Sequence, residues 1–220
     1  MTAQAGVRPY TKGEEIWHAA IHGLAALASV VALIFLAAKA ASHPDHLATL
    51  GAGLFGGGMV VLFTCSTLYH GAFESSFQPF FKMLDHSAIY IMIATGYAPF
   101  ALILLPKEDG IPITIIVGVV ALLGTLFKLM MYMLKRQHQF RWVSLILYLA
   151  MGWGAALLAK PLYNAMPAMG FYMLVAGGLC YTLGAGFYAR KSMKYSHAIW
   201  HFMVFAGAAC HFVSVYWFVL

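Results

Sequence analysis

The sequence predicts an all-α polytopic membrane protein with seven transmembrane helices, a cytoplasmic N-terminus and a C-terminus outside. The first observation behind this fold class is composition. Of the 220 residues, 62% are hydrophobic and only 9% are Asp, Glu, Lys or Arg, whereas soluble domains are about 45–50% apolar and about 25% charged. A water-soluble globule of this composition could not cover its surface with polar side chains. An ordinary soluble enzyme, a disordered chain and a secreted disulfide scaffold are therefore excluded.

The second observation is a series of apolar runs, each close to the about 20 residues that a bilayer-spanning helix needs. Seven runs of this kind follow one another, separated by short segments rich in turn-forming and charged residues. They cover residues 17–38, 47–69, 83–105, 111–134, 142–159, 170–188 and 198–219. We expect one seven-helix domain over residues 1–220, with residues 1–15 as a short cytoplasmic tail and no cleaved signal peptide.

The third observation is the distribution of Lys and Arg, which sets the orientation of a membrane protein. Nine of these residues fall in the tail and in the loops on its side, and three fall on the opposite side. The nine are Arg8, Lys12, Lys82, Lys135, Arg136, Arg141, Arg190, Lys191 and Lys194; the three are Lys39, Lys107 and Lys160. This bias predicts a multi-pass protein of the cell membrane, with the N-terminus inside. Because the basic residues are scattered over separate loops, we expect membrane lipids as partners and no nucleic acid.

Small and unusual residues inside the spans are first given structural interpretations. Glycines crowd the second and sixth spans, where small residues let neighbouring helices approach closely. They are Gly51, Gly53, Gly56, Gly57 and Gly58, then Gly177, Gly178, Gly184 and Gly186. Pro99 is expected to kink the third span. His211 lies a few turns deeper than His201 and is expected to hydrogen-bond another helix.

Ionisable and polar residues near the span ends are the most informative, because lipid makes them costly. The predicted topology brings such residues from four helices to the cytoplasmic face. They are Glu15, His18 and His22 on the first helix, Ser66 and His70 on the second, Asp85 and His86 on the third, and His197 and His201 on the seventh. On the other side the ionisable residues fall in loops. This one-sided clustering predicts a functional site near the cytoplasmic face.

The spacing of the histidines favours a metal site. His197 and His201 are four residues apart, so they project from one helical face and can bind one ion. With His70, they supply the three neutral nitrogens of a catalytic zinc site that keeps a fourth position open. Ser66 precedes His70 by four residues, so its hydroxyl can support the ligand cluster. Asp85, interpreted as the only acidic residue at the same depth, could hold a water molecule and take its proton.

Other residues at this face have simpler interpretations. His18 and His138 are interpreted as interfacial side chains near the lipid headgroups. Glu15 and His22 could form a helix-end polar contact or a proton path, and a structural role is favoured. His86 could support the site or face the headgroups.

The order and spacing of several motifs resemble the hemolysin III family, the bacterial branch of the progestin and adiponectin receptor (PAQR) superfamily. The resemblance runs from the first helix to the last. The matching segments are Glu14-Glu15, His22-Gly23, Ser66-Thr67-Leu68-Tyr69-His70, Asp85-His86-Ser87-Ala88-Ile89-Tyr90, Gly96-Tyr97-Ala98-Pro99 and His197-Ala198-Ile199-Trp200-His201. The resemblance also implies seven helices, a cytoplasmic N-terminus and a bacterial inner membrane.

The resemblance further implies an intramembrane Zn²⁺ held by one histidine of the second helix and two of the seventh, with an aspartate of the third helix binding the zinc water. These roles correspond to the metal ligands His70, His197 and His201 and to the candidate catalytic residues Asp85 and Ser66. The resemblance assigns no role to His18. Some relatives are linked to membrane-fluidity control, and the family name refers to cytolysis.

Three classes of function follow as hypotheses. The first is a zinc-dependent hydrolase that cleaves an amide or ester bond of an inner-leaflet lipid and takes part in lipid homeostasis. The second is a membrane sensor or effector without turnover, in which the zinc is structural; direct ligation by Asp85 would close the site in this way. A proton or ion pathway through Glu15, His22 and Asp85 is a third hypothesis, and the lack of a visible inverted repeat makes transport less attractive.

Overall fold

The computed structural model describes residues 10–137, 139–190 and 192–220, and within these ranges the chain is built from helices. Seven helical spans are long and apolar enough to cross a membrane, which confirms the predicted fold class. They are Lys12–Ala40, Leu47–Gly71, Gln78–Leu104, Lys107–Met133, Arg141–Ala165, Ala168–Ala189 and Ser196–Phe218, called the first to seventh helix below.

The first and fifth helices are longer than the hydropathy pattern indicates. The first begins at Lys12, because Thr11 and Glu14 form a capping box in which each side chain satisfies the backbone of the other residue. Part of the predicted tail is therefore helical. The fifth helix continues through a 3₁₀ turn at Gly154–Leu158 into a last segment, Ala159–Ala165. The fifth span was predicted to end at residue 159, and this end was wrong by six residues. Pro161 lies in the first turn of the last segment, where a proline breaks no helical hydrogen bond.

Pro99 marks a change of helix type within the third span. The α-helix runs over Gln78–Pro99 and passes into a π-helical turn at Phe100–Leu104. Proline lacks a backbone N–H and cannot continue the regular hydrogen-bond ladder, and such irregular turns are common next to functional sites.

The helices pack in a ring that leaves the fifth helix loosely attached. The first helix packs against the second and the seventh, the second against the third, and the sixth against the seventh. The fifth closes the ring between the third and the sixth, and the fourth lies outside against the third. Side-chain hydrogen bonds hold the fifth helix to the third: Tyr148 Oη donates to the His86 carbonyl (2.8 Å) and Tyr97 Oη to the Met151 carbonyl (2.5 Å).

The packing interpretation of the glycines is confirmed for some positions and wrong for others. A Cβ atom at Gly56 would lie 2.6 Å from Leu33 of the first helix, and one at Gly58 would lie 2.0 Å from Thr95 of the third. Gly51, Gly177 and Gly184 are similarly close to a neighbouring helix, whereas Gly53, Gly57, Gly178 and Gly186 meet nothing within 4 Å. The close contacts lie on the faces turned toward other helices, which composition alone does not distinguish.

The orientation of the bundle stays a prediction, because the structure contains no membrane. Two of the cations that set it, Arg8 and Lys191, lie outside the described residues, as does His138.

The contrast between Gly58 and its neighbour gives a test of helix packing. Gly58→Ala should lower the free energy of unfolding by about 1–3 kcal/mol, because the added methyl group overlaps Thr95. Gly57→Ala should leave stability unchanged or raise it by up to about 1 kcal/mol, because its Cβ enters open space and alanine favours the helix. Thermal unfolding in detergent measures both. Equal stability of the two variants would contradict the packing interpretation.

Candidate metal centre

Four histidines from three helices meet at one end of the bundle. His18 lies on the first helix, His70 near the end of the second, and His197 and His201 on the first turns of the seventh. All four are buried. The ring centroid of His70 lies 4.7 Å from that of His18, 5.1 Å from that of His197 and 4.8 Å from that of His201. The predicted meeting of these helices at one face is therefore confirmed.

Glu15 fixes the orientation of His70. The His70 Nδ1–H group donates to Glu15 Oε2 at 2.6 Å, with both side chains buried. A carboxylate that holds one ring nitrogen leaves the other nitrogen with its lone pair directed into the site, as in the carboxylate–histidine pairs of metal proteins. Glu15 therefore lies closer to the histidines than sequence reasoning placed it. The interpretation of Asp85 as the only acidic residue at this depth was wrong.

The facing nitrogens of His70 and His197 have the separation expected of two ligands of one ion. Their Nε2 atoms are 3.3 Å apart. Two nitrogens at tetrahedral positions about 2.0–2.1 Å from a zinc ion are about 3.3 Å from each other. The donor chemistry and this separation fit a metal ion, and the negative charge of Glu15 beside the cluster favours a cation.

His18 belongs to the centre of the cluster. Its ring is fully buried and contacts the rings of His70, His197 and His201, and its Nδ1 lies 3.4 Å from Glu15 Oε2. Its Nε2 has no hydrogen-bond partner among the described residues. The interpretation of His18 as a headgroup-facing side chain was therefore wrong. The signal that could have found it is its position on the first helix, one turn before His22 and three residues after Glu15, facing the same interior.

The group best placed to hold a metal ion is His18, His70 and His197, which offer ligand nitrogens within 4.8 Å of one another. Two of these three are in the predicted set. His201 lies beside them, 4.6 Å from His197 between ring centroids, and its buried Nδ1 has no hydrogen-bond partner in the described part of the chain. The predicted ligand role of His201, like the whole predicted ligand set, stays a prediction.

His22 contacts His201 at the side of the cluster. Its ring stacks on that of His201 at 3.7 Å between centroids, and its Nε2–H donates to the His201 carbonyl at 3.2 Å. This is a buried contact between two helices, so it agrees with the structural role expected for His22.

Asp85 and Ser66 lie on the wall of a cavity that also reaches His197 and His201. Both side chains are buried. Asp85 Oδ2 lies 3.0 Å from His86 Nδ1, which places His86 beside the candidate base, and the cavity wall includes His86 as well. The hydroxyl of Ser66 has no hydrogen-bond partner among the residues described. The catalytic roles of Asp85 and Ser66 stay predictions.

Glu14 links the start of the first helix to the start of the seventh helix by hydrogen bonds. Its carboxylate accepts one hydrogen bond from the backbone N–H of Thr11 at 3.0 Å and another from the backbone N–H of Tyr195 at 2.9 Å. Tyr195 precedes the seventh helix in a left-handed conformation (φ 59°). Sequence reasoning missed this role, although the spacing of Thr11 and Glu14 indicates a capping box. Tyr10 covers the cluster from the N-terminal side, with its ring 4.9 Å from His18 and 5.2 Å from His197.

His211 lies away from the centre. Its Nε2–H donates to the Leu174 carbonyl of the sixth helix at 3.1 Å. The predicted hydrogen bond to another helix is confirmed.

The fold and the site together define a multi-pass membrane protein with a buried histidine cluster that could hold a metal ion. A family model described as "Haemolysin-III related" matches residues 10–212. The chain belongs to the hemolysin III family, as the motif resemblance predicts.

Individual relatives agree with this assignment. The chain is 37% identical to "Hemolysin-3" of Bacillus cereus over 207 residues, which cover 94% of the chain and 92% of the relative. It is also 37% identical to the "Hemolysin-3 homolog" of Bacillus subtilis (strain 168), over 94% of each protein. A human relative, "Monocyte to macrophage differentiation factor", is 30% identical over 75% of this chain and 68% of its own length.

The hydrogen bond between Glu15 and His70 gives a test of the metal centre. We expect purified wild-type protein to contain about one equivalent of metal by elemental analysis. His70→Ala should lose it, and Glu15→Gln should bind it about 10–100-fold more weakly, because the carboxylate orients the ligand ring. His46→Ala, which removes an exposed histidine of the loop before the second helix, is the control and should keep the metal. Full metal retention in His70→Ala would contradict the assignment.

Proposed function

We propose that this protein is a zinc-dependent hydrolase that cleaves an amide or ester bond of a membrane lipid near the cytoplasmic face, with a role in membrane lipid homeostasis. The observation that carries the proposal is a cavity of about 310 Å³ that joins the histidine cluster to an apolar space inside the bundle. This volume is within the range of small-molecule sites, about 300–1,000 Å³.

The cavity has a polar end and an apolar body, as an amphipathic substrate requires. Most of its wall comes from the third, fifth, sixth and seventh helices, and the first and second helices contribute at the end near the histidines. Its polar end is formed by His22, Ser66, Asp85, His86, His197 and His201. Beyond them the wall consists mainly of aliphatic and aromatic side chains such as Met92, Phe100, Leu162 and Phe171. An acyl chain in this body would leave the amide or ester group of a lipid beside Asp85 and the histidines.

Zinc is the metal that this donor set suits best, since imidazole ligands in a tetrahedral arrangement are typical of zinc sites. His70 and His197, with His201 or His18, would hold the ion. When bound, zinc lowers the pKa of a coordinated water from about 15.7 to about 7 and polarises a substrate carbonyl.

The protein residues then have the following roles. Asp85 would accept the proton of the attacking water at its carboxylate as general base while the water oxygen bonds to the substrate carbonyl carbon. It would then give that proton to the amine or alcohol that leaves when the C–N or C–O bond breaks. Ser66 points a buried hydroxyl, free of protein partners in the described structure, at the same cavity, where it donates a hydrogen bond to the bound substrate. Glu15 keeps His70 oriented, and the apolar walls exclude bulk water from the reacting group.

A change at Asp85 tests the hydrolase. Asp85→Asn should keep the fold and the metal but lower turnover by at least about 100-fold, because the amide cannot act as a base. The measurement is an untargeted comparison of lipids from cells that express either form, followed by turnover of the changed lipid by purified protein. Asp109→Asn, which alters an exposed carboxyl at the other end of the bundle, is the control. Identical lipid profiles for wild type and Asp85→Asn would count against the hydrolase.

A non-catalytic sensor or effector is the second candidate, and the position of His18 favours it. Four imidazoles around one ion fill a tetrahedral coordination shell, as in structural zinc sites, and leave no position for a water molecule. His18 has a buried nitrogen available for this purpose. Such a site would join the first, second and seventh helices, and lipid or ligand binding would act through movement of these helices.

Comparison of two variants separates an open site from a closed one. In a three-histidine site, only one of His18 and His201 is a ligand. Alanine in place of the other histidine should therefore leave the metal affinity close to that of the wild type. In a closed site of four histidines, both variants should bind metal at least about tenfold more weakly. Competition with a chelator measures the affinities. Weakening in both variants would contradict the open site that the hydrolase needs.

A further inference from the structure

A second site lies on the other side of the fifth helix, away from the histidines. A groove of about 360 Å³ separates the fourth and fifth helices. Its walls are apolar side chains of both helices, namely Val120, Leu123 and Phe127 of the fourth and Val143, Leu147 and Met151 of the fifth. Tyr90 of the third helix and Gly124 of the fourth complete it. Several wall residues are exposed at the protein surface, so the groove opens toward the surrounding lipid.

The depth of the groove depends on Gly124. A Cβ atom at this position would lie 2.6 Å from the ring of Tyr90. The missing side chain lets the Tyr90 ring lie against the fourth helix, where it packs edge-on against Tyr148 at 4.5 Å between centroids. The Tyr90 ring therefore lies at the base of the groove between the fourth and fifth helices.

Lys128 places a positive charge next to one end of this groove, directly after Phe127 of its wall. It follows Gly124 by four residues and therefore lies on the same face of the fourth helix, toward the connection with the fifth. Its Nζ donates to Ser144 Oγ of the fifth helix at 2.6 Å and lies 5.9 Å from the ring centroid of Tyr148. In the described part of the chain it has no carboxylate within 4 Å. The negative charge of Asp85 acts on Lys128, but Asp85 Oδ2 is already paired with His86 Nδ1 at 3.0 Å.

An ammonium group in this position needs an anionic partner. Lys128 lies inside a membrane span, where an ionisable side chain is costly unless it is paired. Ser144 supplies only a neutral acceptor, and the positive charge of Lys82 also acts on Lys128. An anion at this end of the groove would stabilise the Lys128 ammonium group.

We propose that the groove between the fourth and fifth helices binds an anionic phospholipid, with its phosphate on Lys128 Nζ and an acyl chain along the apolar walls. The combination of a cationic end and an open apolar cleft matches the two parts of such a lipid. A zwitterionic lipid fits less well, because its cationic headgroup offsets the attraction of Lys128 for the phosphate.

The test uses the full-length protein in detergent, with lipids bound to it counted by native mass spectrometry. We expect wild-type protein to bind one phosphatidylglycerol more tightly than phosphatidylcholine. Lys128→Gln should weaken phosphatidylglycerol binding about fivefold, the usual effect of one lysine on an anionic lipid. Lys160→Gln, which alters an exposed lysine at the far end of the fifth helix, should have no effect.

A second pair of variants tests the apolar part and stays informative if Lys128→Gln fails to fold. Leu123→Trp should fill the groove and weaken phosphatidylglycerol binding. Leu122→Trp is the control, because Leu122 is equally exposed (57% against 60% for Leu123) but lies outside the groove. Unchanged binding in both Lys128→Gln and Leu123→Trp would overturn the proposal. A second result would also overturn the proposal: inorganic phosphate displaces bound phosphatidylglycerol as effectively as free phosphatidylglycerol does, and Leu123→Trp leaves phosphatidylglycerol binding unchanged.

Discussion

The structure depends on the need to satisfy buried polar groups in a bundle that is otherwise apolar. The carboxylate of Glu15 and the imidazoles of His18, His70, His197 and His201 are buried together at one end of the helices. In an apolar environment each of these groups is destabilising unless it is hydrogen-bonded or coordinated. The short contact between Glu15 and His70 satisfies two of them at once. Ligand nitrogens of His18, His70 and His197 lie within 4.8 Å of one another, so one ion could satisfy several of the nitrogens that remain.

This requirement also explains how the helix ends are arranged. The first, second and seventh helices must meet closely enough for their histidines to touch, and Glu14 joins the start of the first helix to the start of the seventh through Tyr195. Glycines at Gly56 and Gly58 let the second helix lie close to the first and the third. The closely packed first, second and seventh helices therefore hold the polar cluster. The fifth helix is held by a few side-chain hydrogen bonds, and it borders a cavity on one side and a groove on the other.

The sequence predicted a large part of this arrangement, for physical reasons that can be named. Charge is scarce in this chain, so each ionisable residue within a span stands out, and helical spacing shows which of them share a face. This reasoning brought His70, His197 and His201 together and placed Asp85 near them, where the structure has the three rings in contact and Asp85 on the wall of the adjoining cavity. Their roles stay predictions. The same reasoning failed for His18, because a histidine near a helix end looks the same in sequence whether it faces lipid headgroups or the interior. It also failed to identify Glu15 as the acidic partner of His70, because the contact between these two side chains depends on how the first and second helices pack.

By itself, the sequence determined the class of protein, the number of spans and the end of the bundle at which polar residues gather. These follow from composition and from a helical period that depends on local chemistry alone. Only the tertiary structure decided that His18 lies inside the cluster, that Glu15 orients His70 and that the fifth helix stands between a cavity and a groove. Such features depend on the distances between helices, and those distances are set by side chains that lie far apart in the chain and meet only when the helices pack.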